Sequence, residues 1–323
     1  MQSPLSQTFP SLLLPRFPSM RSILCLSLAF LFAAPLAAGY PLVANERNML
    51  FWFDAEGKVT AKVELKGAPH DIHVLENGNV LTHQGTEIVE LDAQSREIVW
   101  RFDARSLATA EKVELHSIAL LPDGHVMVAL SGEGKIYEID RDGKVHKQFD
   151  LKRDRPHPHR DTRLVRPVID GDQWTYLVAQ EGDGYVREYN RDGKIVWEYD
   201  VPLFGKQPKG GHGPEAFGDS VFSALRLPNG NTLIATGNGH SILEVTPEKQ
   251  IVWQLDQHDL DDITLAWVTT LQVLDNGNII VGNCHAGEGQ PQIIEIDRKK
   301  NVVWSFTDFE HLGNSVSNSV VLR

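Results

Sequence analysis

The stretch SALRLPNGNTLIAT, Ser223 to Thr236, decides the fold. Two short apolar runs flank Asn229-Gly230, and an Asn-Gly pair in that setting is a strong hairpin signal. It predicts a type I′ turn, which needs φ > 0 at both central positions. The phrase recurs as DIHVLENGNVLTH (Asp71 to His83), SIALLPDGHVMVAL (Ser117 to Leu130) and LQVLDNGNIIVGN (Leu271 to Asn283). A degenerate copy, LVRPVIDGDQWTYLVAQ, runs from Leu164 to Gln180. The turn glycines Gly78, Gly124, Gly171, Gly230 and Gly277 lie 46, 47, 59 and 47 residues apart. Such a period, with room for four strands per unit, reads as a β-propeller.

Each unit continues past its hairpin in one way. A third strand reaches a polar turn, and a fourth carries a Val-Trp pair, as in EIVELDAQSREIVWRFD and ILEVTPEKQIVWQLD. Trp100, Trp197, Trp253 and Trp304 share this place, where a large ring can pack the outer strand against the next blade. Lys147 stands there in the one irregular unit. PLVANERNMLFWFDAEGKVTAKVEL (41–65) matches only the last three strands of a unit, and the C-terminal NSVSNSVVLR only the first. Together they predict a sixth blade closed by the two ends of the chain, which removes the open sheet edge. The expected fold is all-β: a single six-bladed propeller over residues 40–323.

Composition narrows the function. The chain has 323 residues and a formal charge of −12, which disfavours nucleic acid as a partner. Residues 1–39 hold no acid and two arginines, Arg16 and Arg21. An apolar run, Ile23 to Ala34, ends at Pro35, and Ala37-Ala38-Gly39 is an acceptable cleavage site. This is a signal peptide whose start reads as Met20, with residues 1–19 an upstream extension. The run is short for a membrane span. The expected product is exported to the periplasm or beyond, monomeric, and without a membrane span after cleavage. Cys25 falls in the leader and Cys284 in the body, so the mature chain has no partner for an internal disulfide.

In a four-stranded antiparallel blade the A–B and C–D turns share one face. Here they are short and stereotyped. The B–C and D–A connections share the other face and are irregular: KRDRPHPHRDTR (Lys152 to Arg163), PLFGKQPKGGHGPEAFGD (Pro202 to Asp219) and NCHAGEGQPQ (Asn283 to Gln292). Variable loops on a rigid scaffold carry binding and catalysis. Ten of the thirteen histidines map to this face or to strand ends beside it. His70 and His116 each stand eight residues before a turn glycine, and Arg163 holds the same register. Such a row at one depth of the channel suits an anion or acid–base chemistry. The His-x-His pair His157 and His159 reads as a solvated loop, because two ligands alone make no metal site. Cys284 reads as a buried structural thiol.

The strand NRDGKIVW (Asn190 to Trp197) resembles the tryptophan-docked repeats of the quinoprotein, or PQQ-like, propeller superfamily. Quinone-dependent members have eight blades and a vicinal Cys pair; this chain has about six units and a single body cysteine, so PQQ is not expected. HDIHVLENGNVL and FSALRLPNGNTLIATGNGHSILEV also resemble the exported six-bladed arylsulfotransferase-like propellers. That resemblance implies sulfuryl transfer through a channel histidine. Asn238 aligns with the family's nucleophile, so His240 or His285 would serve, with His70, His116 and Arg163 binding sulfate. Two functions are carried forward. One is a scaffold binding a small molecule, glycan or protein on the His-rich face. The other is a channel enzyme of sulfotransferase type, or a metal-assisted lyase or hydrolase.

Overall fold

A computed structural model describes residues 39–322. The expected leader, residues 1–39, lies outside that range but for Gly39. Six four-stranded antiparallel sheets form the fold. The inner strands are Ile72–Val74, Glu114–Leu120, Val165–Asp170, Ser223–Arg226, Trp267–Val273 and Ser319–Val321; consecutive ones touch around the ring, except that the first blade meets Glu114–Leu120 through its second strand, Val80–Gln84. We number the blades 1 to 6 in that order. The inner and middle strands are mostly buried, whereas the outer strands, such as Ile98–Asp103, alternate between half-buried and exposed. Among the described residues the only helical segments are a 3-10 turn, Ala104–Leu107, and a single turn, Phe309–Leu312. No helix there is long and apolar enough to cross a membrane.

Ring closure follows the expectation. Ser319–Val321 pairs antiparallel with Leu42–Glu46, with Leu42 opposite Val321 and Ala44 opposite Ser319. The first strand of blade 6 therefore comes from the C-terminus and the other three from the N-terminal segment. Three residue pairs make this clasp. Side chains reinforce it: Asn318 donates to Asp71 and to the His70 carbonyl in blade 1.

The hairpin turns correct one expectation. Gly78, Gly124, Gly230 and Gly277 have φ of 81–86°, but the residue before each does not have positive φ. Gly78 N–H donates to the Leu75 carbonyl, Leu75 N–H donates to the Asn79 carbonyl, and Asn77 Oδ1 accepts from Asn79 N–H. This is a type I turn followed by a left-handed glycine, a G1 bulge, and not the type I′ turn. The asparagine serves by side-chain capping, so Asp replaces it freely at Asp123.

The tryptophans dock blades as expected. Trp100 Nε1 donates to the Arg141 carbonyl at 2.8 Å, Trp197 to Pro247 and Trp253 to Arg298, each in the next blade. An additional element completes the dock. The guanidinium of Arg141 lies 4.5 Å over the Trp100 ring and pairs with Glu90; Arg298 does the same with Trp253 and Glu244. Lys147, in the tryptophan position of blade 2, substitutes an ion pair with Asp192 at 2.9 Å.

Candidate functional site

A cavity of about 350 Å³ opens on the B–C and D–A face, at the mouth of the central channel. The register rule places its residues. His70 and Arg163, eight residues before Gly78 and Gly171, line it. So do Phe222 and Thr269, which hold the same register before Gly230 and Gly277. The loops add His159, His212, His285 and Arg47.

His70, His116 and Arg163 converge as the spacing implied. The His70 and His116 rings meet edge-on with centroids 4.6 Å apart. His70 N–H donates to His83 Nε2 at 2.8 Å, and His83 Nδ1 lies 3.0 Å from the Gly85 carbonyl. That fixes His83 as a neutral ring protonated on Nδ1, in keeping with the burial that pushes its pKa down to about 4. Burial, then His116 and Arg163, hold the His70 pKa well below the ordinary histidine value. At pH 7 His70 therefore presents a neutral imidazole to the cavity.

Behind His70 runs a relay that the sequence did not reveal. Arg163 pairs with the buried Glu181 through Nε and donates to His159 Nε2 at 2.8 Å. His159 Nδ1 therefore carries the ring proton and donates to Glu114 at 2.6 Å. Glu114 also lies 3.0 Å from His116 Nε2. Hydrogen bonds from the two histidines depress the Glu114 pKa, so it stays a carboxylate. His159 was expected in a solvated loop. It sits half-exposed at the cavity because Asp161, the buried anchor of that loop, accepts from His157 N–H and pairs with Arg153.

The other candidates separate. His285 lines the cavity opposite this relay, 5.1 Å from His212 between ring centroids. Burial and the neighbouring His212 lower its pKa. His240 is not among the lining residues; it is buried, with Nδ1 against the Ala266 carbonyl at 2.6 Å and Nε2 against the Ala216 carbonyl. With both nitrogens held, His240 positions two loops and offers no nucleophile to the channel. Asn238 is likewise structural, its side chain accepting from Ser220 N–H. Cys284 lines the cavity, and burial drives its thiol pKa far up, so it is not a thiolate.

A family model described as outer membrane protein assembly factor BamB matches residues 47–306. The chain belongs to this PQQ-like propeller family. No curated protein matches it. Among solved structures, a protein of unknown function from Bacteroides caccae is 21% identical with a TM-score of 0.70, covering 87% of this chain and 98% of its own. A streptogramin B lyase is 12% identical with a TM-score of 0.57, over 90% of this chain and 95% of its own. A catalytically inactive virginiamycin B lyase from Staphylococcus aureus, with quinupristin, is 12% identical with a TM-score of 0.53, over 80% and 77%. At these identities the likeness is one of fold.

Below the cavity the channel is pinned by a buried carboxylate. Asp71 accepts both guanidinium nitrogens of Arg166 at 2.8 and 2.9 Å, Ser117 Oγ at 2.6 Å and Asn318 Nδ2 at 3.1 Å. Burial opposes its charge, but Arg166 and His73 outweigh burial and hold its pKa far below the carboxylate range. Blades 1, 2, 3 and 6 meet at this one group.

Proposed function

We propose that this BamB-like propeller is an exported protein that binds a small molecule bearing an oxyanion at the channel mouth. One observation carries the reading: the cavity lining holds four histidines and two arginines but no carboxylate, in a chain with 43 acids. Glu181 and Glu46 pair with Arg163 and Arg47 from behind, so N–H donors face the cavity. Phe222 and Trp267 supply an apolar wall, as ligand pockets of this size usually have. Export rests on the leader within residues 1–39, and the closed ring supports a monomer.

The test is a thermal-shift and calorimetric screen of the mature chain with sulfate, phosphate, aryl sulfates, carboxylates and neutral sugars. A ligand of the folded state raises the midpoint by mass action. Anions should stabilise and neutral sugars should not, and His70→Gln with Arg47→Gln should abolish the shift. Equal shifts with neutral sugars would refute the reading.

A second reading, a channel enzyme, is favoured by His70 alone. A neutral ring facing the cavity is what a nucleophile or general base needs. Release of a phenol from an aryl sulfate with the sulfuryl group appearing on an added acceptor phenol, both abolished in His70→Gln, would establish sulfuryl transfer. Binding without release would leave the scaffold function.

A further inference from the structure

We propose that Glu114, His116 and His159 form a binding site for a first-row divalent transition metal, with Zn²⁺ the best match, beside the cavity and reached from it through His159. One ligand atom from each residue lies within 4.8 Å of the others. Two imidazoles and one carboxylate suit Zn²⁺, while Mg²⁺ and Ca²⁺ want all-oxygen shells. Three protein ligands beside an open cavity leave a coordination position free, the pattern of an accessible rather than a closed site.

The surroundings of His116 suit a ligating ring. His116 is fully buried, yet both its nitrogens face acceptors. Nδ1 lies 2.8 Å from the Thr162 carbonyl and Nε2 lies 3.0 Å from Glu114. A cation between Nε2 and Glu114 fits this geometry. The proton goes to Nδ1 and donates to the Thr162 carbonyl, the usual outer-shell bond of a ligating histidine. His159 supplies the way in, since it stands half-exposed at the cavity.

Coordination through His159 Nδ1 moves that ring's proton to Nε2, which now accepts from Arg163. Arg163 must release His159, keeping Glu181, and its freed N–H groups turn to the cavity. Metal binding is therefore expected to strengthen anion binding.

The other cluster of donors, Asp123, His125 and Glu138 on the opposite face, is already committed to protein partners. Glu138 is taken by Arg191 and Tyr176, and His125 has Asp123.

The test is calorimetric titration of chelator-stripped mature protein with ZnCl₂, with MgCl₂ as competitor. One Zn²⁺ per chain should bind. Affinity should fall by more than about 100-fold in Glu114→Gln and in His159→Ala. Both residues are half-exposed, so the variants should keep the circular dichroism of the parent. His116→Gln serves as a third variant if it folds. Absence of saturable binding, retention of binding in both exposed variants, or displacement by millimolar Mg²⁺ would each overturn the assignment. The readout needs no anionic ligand, so its failure is separate from failure of the anion site.

Discussion

Two matched turns allow the link between strain and function to be measured. In blade 1, Gln84 pairs with Glu87 across the two-residue turn Gly85-Thr86; in blade 6, Glu46 pairs with Met49 across Arg47-Asn48. The first central residue has positive φ in both, 63° for Gly85 and 50° for Arg47. Holding a residue with a Cβ in that region costs about 1–2 kcal/mol, and glycine gives back about 0.5–1 kcal/mol through its unfolded-state entropy. The Arg47 side chain is 84% exposed and pairs with Glu46 at 3.6 Å, so Arg47→Gly forfeits little packing. It should stabilise the fold by about 0.5–1 kcal/mol, or ~1–4 °C in Tm for a domain of this size. A Cβ placed on Gly85 meets nothing within 4 Å, so Gly85→Ala reads the backbone term alone and should destabilise by a similar amount.

The assay is urea unfolding followed by tryptophan emission, with thermal melts in parallel. Opposite signs for the two variants are the expected result. The stabilised Arg47→Gly protein should at the same time lose response to anionic ligands, because a strained non-glycine residue at a cavity mouth is held there for what its side chain does. If both variants shift the same way, or if Arg47→Gly gains stability with anion binding intact, the reasoning fails.

Removing the channel carboxylate with Asp71→Ala leaves Arg166 unpaired in the interior and should cost about 3–5 kcal/mol, with much of the loss recovered in Asp71→Ala/Arg166→Met; urea midpoints decide this. His83 is neutral in the fold with a pKa of about 4 against an ordinary 6.5, so only the unfolded chain takes up its proton between those values. The fold should therefore lose about 2 kcal/mol through His83 as pH falls from about 7 to 5, and His83→Gln should flatten the stability–pH curve by that amount. Trp253→Phe deletes the 3.0 Å bond to the Arg298 carbonyl while keeping an aromatic ring, and should cost ~1 kcal/mol by the same unfolding assay. Deleting the last ten residues removes the inner strand of blade 6 together with Asn318, and should leave an unfolded or self-associating chain on size-exclusion chromatography; an unchanged monomer would refute the clasp.

The architecture was readable because a propeller repeats itself. A turn glycine and a docked tryptophan recur often enough that one copy calibrates the next. The Glu–Arg half of the dock escaped because Glu90 and Arg141 are 51 residues apart, and a charged residue on a strand is locally indistinguishable from a solvated one. Within the site, register carried the reading as far as His70, His116 and Arg163, since strand geometry fixes where such residues point. The same rule, applied once more, reaches Phe222 and Thr269; they were passed over because they carry no charge. His159, His212 and Arg47 lie in connections, where sequence spacing has no fixed relation to space. Glu114 shares a strand with His116, but nothing local says that a loop 45 residues later will bring His159 to it.

These misses share a physical cause that also explains where the site lies. A blade's strands are set by pairing and by the apolar core, and they tolerate little variation. The D–A and B–C connections are constrained only at their ends. Loops from blades 2, 3 and 5 bring His159, His212 and His285 to one cavity over the register row. Buried polar anchors hold two of these loops: Asp161 for the first, and the carbonyl-bound His240 for the second through Ala216. The sequence spent its least repetitive residues on the rim of this cavity, where Arg47 and His285 also hold positive φ, while other left-handed side-chain-bearing residues, such as Arg96, Lys249 and Lys300, serve the short turns of the other face. That concentration of irregularity over an otherwise uniform ring is the physical argument for treating the channel mouth as the functional face.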